Sequence, residues 1–234
     1  MTIKAVLFDK DGTLIESNAT WVPVYKSMLA KEFGESEAGV EEMMVLAGYD
    51  PKTGGFKAGS TLAAGTLEQL VDIWWLHLDY DARQAKVRMI NLDYANEARL
   101  CMRPLMDLVP IFDELHAMNL KLGVATNDIK SSATNHMHQL GVHDYFVEVI
   151  GADSVQIPKP SGQMISRFAS VTGLLPHEIA MVGDNSHDME EARAGGAMAI
   201  AVLTGNAAHS DIAHLADHTL ASVADIPALL RSLA

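Results

Sequence analysis

The sequence predicts an α/β fold: a parallel sheet flanked by helices and interrupted after its first strand by a helical insert. Three observations predict it. A compact apolar run, Ala5-Val6-Leu7-Phe8, stops at the polar turn Asp9-Lys10-Asp11-Gly12-Thr13. From about Met102 onward, short apolar runs alternate with segments of helical periodicity, the pattern of right-handed βαβ units. Between these regions, about Glu16 to Cys101, apolar residues recur at helical spacing without strand alternation.

A short apolar run closed by a glycine turn suits a strand buried on both faces of a parallel sheet, so Ala5–Phe8 is the first strand. In the insert, Trp21, Val24, Tyr25, Met28, Leu29 and Phe33 share one helical face, and Val40, Met43, Met44 and Ala47 make a second. Gly48–Ser60 holds four glycines and a proline in thirteen residues and reads as a loop. Its Lys52, Lys57 and Ser60 have two readings of equal weight, substrate contact or plain surface connection. Thr66 and Gln69 have capping-box spacing at the start of a helix carrying Leu70, Val71, Trp74 and Trp75, with both tryptophans read as packing residues. A further helix follows from about Tyr80 to Leu100.

In the third region Pro104 opens a helix carrying Leu108, Ile111, Phe112 and Leu115. Strands are predicted at Leu120–Ala125, Val147–Ile150, Ile179–Val182 and Met198–Val202, with helices between them, one from Gly162 to Thr172. The expected division is therefore residues 1–15 with 102–234 as one α/β unit, and 16–101 as the helical insert. The length of 234 residues fits one core carrying such an insertion.

Composition narrows the function. Half the chain, 49%, is hydrophobic and 20% is charged, which suits a packed core rather than disorder. The formal charge of −13 disfavours nucleic acid and anionic membranes as partners, since both need basic clusters. It also means that an anionic substrate must be drawn in by a local device. The single cysteine, Cys101, rules out an internal disulfide framework and reads as a packing residue of a reducing compartment. No apolar run approaches the roughly 20 residues of a membrane span, so a soluble cytoplasmic protein is expected. The ten histidines have no coherent ligand spacing and are expected mostly at the surface, His136 among them, whereas the thirteen methionines are expected in the core.

Open parallel sheets bind ligands beyond the carboxyl ends of their strands, and the unusual polar residues lie there. Asp9 and Asp11 follow the first strand, Thr126, Asn127 and Asp128 the next, Lys159 the third, and Asp184, Asn185 and Asp188 the fourth. Acids converging in a dry cleft repel one another unless their pKa values rise or a cation joins them. Asp9, Asp11 and Asp184 offer only oxygen, which suits a hard divalent ion such as Mg²⁺. A threonine hydroxyl and a lysine suit phosphate oxygens, and Pro158 and Pro160 fix the backbone on both sides of Lys159. Gly12 permits the tight turn after the paired acids. A carboxylate can attack phosphorus to form an aspartyl-phosphate; Asp9, at the strand end, is the candidate. Asp11 can then protonate the leaving oxygen and deprotonate the attacking water. Acids at a helix start are favoured in any case, so Asp188 has a capping role as its competing explanation.

These residues resemble the haloacid dehalogenase (HAD) superfamily of aspartate-nucleophile phosphotransferases. DKDGT at Asp9–Thr13 resembles its first motif, Thr126 after an apolar strand its second, Lys159 within PKP its third, and GDNSHD at Gly183–Asp188 its fourth. The order and spacing agree across nearly the whole chain. The resemblance implies a Rossmann-like, HAD-like core with a C1-type helical cap, as in the phosphoglycolate phosphatase-like branch. It implies Asp9 as nucleophile and Asp11 as general acid/base. It also implies Mg²⁺ on Asp9, the backbone carbonyl of Asp11 and Asp184, with Asp188 in an outer position. Thr126, Asn127 and Lys159 would bind the phosphoryl group of a small phosphorylated metabolite. Haloacid dehalogenase proper lacks an acid at the second position, so Asp11 argues for phosphate chemistry. β-Phosphoglucomutase-like and phosphonoacetaldehyde hydrolase-like enzymes share the core and a similar cap. The latter needs a cap lysine, and Lys26, Lys31, Lys52 and Lys57 are available. A phosphate-binding regulatory protein is the non-enzymatic alternative.

Overall fold

Strand β1 (Ala5–Phe8) is apolar at every position, and the sheet places it where both faces are covered. The computed structural model describes residues 2–34 and 36–233, with the side chains of 92–97 and 99 outside that description. After β1 come the helices of the insert: α1 (Ser17–Phe33), α2 (Glu37–Leu46), then a hairpin of β2 (Tyr49–Asp50) and β3 (Gly55–Phe56). Next are α3 (Thr61–Ala64), α4 (Leu67–Trp74) and α5 (Tyr80–Cys101). The α/β alternation then runs α6 (Val109–Ala117), β4 (Lys121–Ala125), α7 (Lys130–Gln139), β5 (Phe146–Ile150), α8 (Gln163–Thr172) and β6 (Ile179–Gly183). It ends with α9 (Ser186–Gly195), β7 (Met198–Val202), α10 (His209–Ile212), β8 (His218–Leu220) and α11 (Ile226–Ser232).

The sheet has six parallel strands in the order β5-β4-β1-β6-β7-β8. β1 pairs with β4 on one side and β6 on the other, in register Ala5↔Lys121 and Ala5↔Ile179. Strand alternation sorts its residues between two cores. Val6 and Phe8 pack with α6, α7 and α11 through Phe112, Met137 and Ile226. Ala5 and Leu7 pack with α8 and α9 through Phe168 and Met189. A third apolar cluster, with Met28, Met44, Leu70, Trp74 and Trp75, lies wholly within the insert. The insert thus has its own core, and Trp74 and Trp75 are packing residues as expected. Among the described residues no helix is long and apolar enough to cross a membrane.

Three local expectations differ from the structure. The helix expected at Pro104 begins at Val109, with Pro110 in its first turn, a position where the missing N–H costs nothing. Pro104 instead bridges Ile15, where the chain re-enters the core. The glycine-rich stretch contains the β2–β3 hairpin, two residues per strand and too short to show alternation. β8, at the sheet edge, is half-buried and three residues long, and was not expected. The capping box is present: Gln69 N–H donates to Thr66 Oγ1 and Thr66 N–H to Gln69 Oε1.

Candidate active site

β1, β4 and β6 end side by side, so the residues that follow them share one rim. Asp9 continues the ladder, its N–H donating to Val182 O at 2.8 Å, and leaves its carboxylate at the strand end. The chain then turns tightly: Leu14 and Ile15 N–H both donate to Lys10 O. Gly12 sits at φ 87°, in the left-handed region. A Cβ there would lie 2.6 Å from the Asp184 carboxylate, and one at Gly205 would lie 1.7 Å from it. Asp184 is therefore seated between two glycine backbones, and the Thr13 hydroxyl donates to its Oδ1 at 3.3 Å.

Lys159 Nζ lies 2.6 Å from both Asp9 Oδ1 and Asp188 Oδ1. Asp188 Oδ2 accepts Asn185 N–H, the expected local cap, while its Oδ1 meets Lys159. The carboxylates of Asp9, Asp184 and Asp188 offer oxygens within 4.8 Å of one another, all three side chains being buried. Burial, helped by the charges of Asp188 and Asp11, pushes Asp9 up to about 7 despite Lys159. Burial, then Asp9 and Asp188, push Asp184 well above the usual carboxylate range. Lys159, against the pull of burial, is held strongly protonated by Asp188 and Asp9. Three buried acids against one ammonium leave a net negative centre built only from oxygen donors. That donor set fits a hard divalent cation.

The repulsion sets a pH dependence. The neutral carboxyl of Asp9 lends stability that is fully present below its ordinary 3.8 and is lost as pH rises to about 7. Without divalent metal, raising pH from 5 to 7 should lower stability through Asp9 by about 2–3 kcal/mol, several degrees in Tm. The Asp9→Asn protein should lack that part of the slope. Millimolar Mg²⁺ should raise the wild-type Tm near pH 7.5, by about 5–11 °C at a hundred times Kd. Thermal melts with EDTA or Mg²⁺ measure both, and identical melts would contradict a cation at this centre.

The aim of Lys159 has a cause that the flanking prolines did not reveal. Asn127 brackets its backbone, Oδ1 accepting Lys159 N–H at 3.1 Å and Nδ2 donating to Lys159 O at 3.2 Å. The same Nδ2 donates to Ala64 O on α3 at 2.8 Å, tying the insert to the rim. Asn127 thus holds Lys159 and the insert together, a positioning role rather than only the phosphate contact expected of it. Below this segment, buried Glu191 accepts the N–H groups of Gly162, Met164 and Ile165 and anchors the start of α8. Thr126 is buried at the end of β4 and faces the cleft, its hydroxyl accepting Asp128 N–H at 3.1 Å.

Beside the rim lies a second polar centre that sequence reasoning passed over. Lys10 is fully buried, its Nζ 2.8 Å from Asp11 Oδ2, 3.0 Å from Asp128 Oδ2 and 3.3 Å from His136 Nδ1. An ammonium can only donate, so His136 accepts at Nδ1. Burial and Lys10 push His136 down to about 4, so the ring is neutral and its proton sits on Nε2. The expectation of a surface histidine is therefore corrected: His136 is fully buried, turned inward by α7. Trp21, from α1, donates its indole N–H to Asp11 Oδ1 at 2.6 Å and lies under the Lys10 ammonium, 5.1 Å from the ring centre. Burial alone would raise Asp11, but Lys10 and the Trp21 hydrogen bond together hold it below its ordinary value. The available signal was the lysine between two aspartates in DKDGT.

The insert roofs the rim, leaving a cleft of about 990 Å³ counting its open mouth. Asp9, Asp11, Thr126, Asn127, Lys159, Asp184 and Asp188 all line it. Lys52 and Lys57 are exposed and do not line it, and Ser60 caps α3 by accepting Ala63 N–H. The segment that does reach the cleft is Leu62–Gly65, just beyond the glycine-rich stretch.

The chain is similar to known proteins over nearly its whole length. The family model for haloacid dehalogenase-like hydrolases matches residues 3–196. A phosphoglycolate phosphatase of Chromobacterium violaceum is 29% identical over 98% of this chain and 97% of its own. A glyceraldehyde 3-phosphate phosphatase of Methanocaldococcus jannaschii is 25% identical over 99% and 98%. The crystal structure of a predicted phosphoglycolate phosphatase from Haemophilus somnus superposes with a TM-score of 0.74 at 23% identity, covering 98% of each chain.

Proposed function

The chain belongs to the haloacid dehalogenase-like hydrolase family and is a phosphoric monoester hydrolase, and on that premise we propose that it hydrolyses a small phosphorylated metabolite of the cytoplasm through an aspartyl-phosphate on Asp9. Residues 1–15 and 102–234 are then the catalytic unit and 16–101 the cap over it. The observation that carries the reading is the convergence of Asp9, Asp184 and Asp188 on one another, with Lys159 paired to Asp9 and Asp188 and Asp11 beside them, at the carboxyl ends of β1 and β6.

Asp9 attacks phosphorus, the bond to the leaving oxygen breaks, and Asp11 supplies the proton that oxygen needs. Water then attacks the aspartyl-phosphate, Asp11 takes its proton, and inorganic phosphate leaves with Asp9 restored. Asp11 is held ionised by Lys10 and Trp21; a phosphate dianion beside it raises its proton affinity. Lys159 and Thr126 hold the phosphoryl oxygens, and the cap excludes bulk water. Asp9, Asp184 and the Asp11 backbone carbonyl would hold Mg²⁺, with Asp188 adjacent. When bound, Mg²⁺ supplies positive charge that keeps Asp9 ionised and offsets charge on the phosphoryl oxygens.

Among the described residues no lysine of the insert lines the cleft, so the Schiff-base lysine of phosphonoacetaldehyde hydrolase-like chemistry has no counterpart there. Release of inorganic phosphate from p-nitrophenyl phosphate tests the reading. It is expected in Mg²⁺ and should stop in EDTA; no release under any metal condition would remove it.

A further inference from the structure

The floor and roof of the cleft differ in chemistry. The floor is the acidic rim with Lys159. The roof is apolar: Val24 and Met28 from α1, Leu62 from α3, Leu67 from α4 and Ile90 from α5. Tyr25 completes it, stacked on Trp21 with ring centres 5.6 Å apart and edge-on to Trp74 at 5.7 Å. Burial, then Asp128 and Asp11, push the Tyr25 hydroxyl's pKa upward, so it remains a donor.

Among the described residues no lysine or arginine of the insert lines this roof. Among the described residues that line the cleft, Lys159 is the only lysine or arginine, and its ammonium already sits between Asp9 and Asp188. Three of the insert's cations are engaged elsewhere: Lys26 lies over the Tyr49 ring, Lys86 pairs with Glu32, and Arg83 pairs with Asp72. The charged roof residue is Glu68, which is negative and exposed. A substrate carboxylate brought here would be desolvated against apolar walls, with no cation to meet it.

We propose that the substrate is the phosphomonoester of an uncharged alcohol with apolar surface, and that phosphoesters carrying a second anionic group, phosphoglycolate among them, are selected against. This rests on the phosphatase reading above and narrows it. The apolar roof holds the alcohol, while Lys159 and the rim hold the phosphoryl group.

Three phosphoesters separate the outcomes: 2-phosphoglycolate, its carboxamide and benzyl phosphate, each assayed for phosphate release in Mg²⁺. The carboxamide keeps the glycolate skeleton and removes the second charge. The carboxamide and benzyl phosphate are expected to exceed phosphoglycolate in kcat/KM by roughly ten- to a hundredfold, the size of one missing partner for a buried charge. Phosphoglycolate turned over as well as its amide, or better, would overturn the inference and leave the phosphatase reading standing. No release from any of the three, with p-nitrophenyl phosphate still hydrolysed, would overturn the inference alone; no release from p-nitrophenyl phosphate either would overturn both. Ala63→Lys places a cation on the roof. In a variant with an unchanged melting profile, it should raise the phosphoglycolate-to-carboxamide ratio by about tenfold; an unmoved ratio counts against the inference.

Discussion

Asp9→Asn is expected to lower phosphate release by about four to six orders of magnitude, the scale for losing a covalent nucleophile, while the protein folds normally. The two effects separate because Asp9 is costly where it stands. Its carboxyl is buried beside Asp188 and Asp184 and is pushed up to about 7, so at neutral pH the metal-free fold works against its ionisation. Asparagine is nearly isosteric, still accepts from Lys159 Nζ, and carries no charge. The variant should therefore melt at or above the wild-type temperature in EDTA and lose part of the Mg²⁺-dependent rise. Phosphate release and paired melts read both. Turnover at the wild-type rate would remove Asp9 from the nucleophile's role.

Lys10→Met is expected to destabilise the protein by about 3–5 kcal/mol, the cost of leaving buried charges without their partner. At about 2–4 °C per kcal/mol for a chain of this size, Tm falls by roughly 6–20 °C. Lys10 has no exposed surface and compensates two carboxylates, Asp11 at 2.8 Å and Asp128 at 3.0 Å. Its folded pKa is raised, so its contribution is complete below 10.5 and is lost only as pH rises through the folded value. Asp11 is lowered, so its contribution is present above 3.8 and is lost as pH falls through the folded value. Between those limits neither Lys10 nor Asp11 changes charge; His136, depressed from 6.5 to about 4, makes the wild-type fold lose stability as pH falls between those two values. In the variant the orphaned acids take up protons more readily, so its deficit should shrink toward pH 5. Adding Asp128→Asn removes one orphan and should restore about half the loss. A Lys10→Met protein with a wild-type Tm would show that the buried network does not stabilise the fold.

The two centres differ in how openly the sequence displays them. Asp9, Thr126 and Asp184 each close an apolar run, and a carboxylate or hydroxyl at the end of a buried strand is a local pattern. The glycine at position 12 is equally local, although its second function, leaving room for Asp184, lies 172 residues along the chain. Lys10, between Asp9 and Asp11, reads as part of a polar turn until α7 brings His136 and the β4 end brings Asp128 against it. The contact spans 126 residues, and no periodicity encodes it. The clamp of Asn127 on Lys159 is hidden for the same reason. β8 escaped because a half-buried edge strand of three residues carries too few positions to show a period. The helix start at Val109 was displaced because Pro104 and Pro110 both offer a valid beginning, and only the Ile15–Pro104 bridge decides between them.

The central position of β1 also orders events during synthesis. Its partners are β4, in register with Lys121, and β6, in register with Ile179. Roughly 170 residues separate β1 from β6, so at about 5–20 residues per second the ribosome needs about 10–35 s to deliver the second partner. Until then Ala5–Phe8 is an apolar segment with an unpaired edge, while the insert, whose core is its own, can already fold. Asp9 meets Asp184 only when β6 docks, so the acidic centre assembles after the insert that roofs the cleft has left the ribosome.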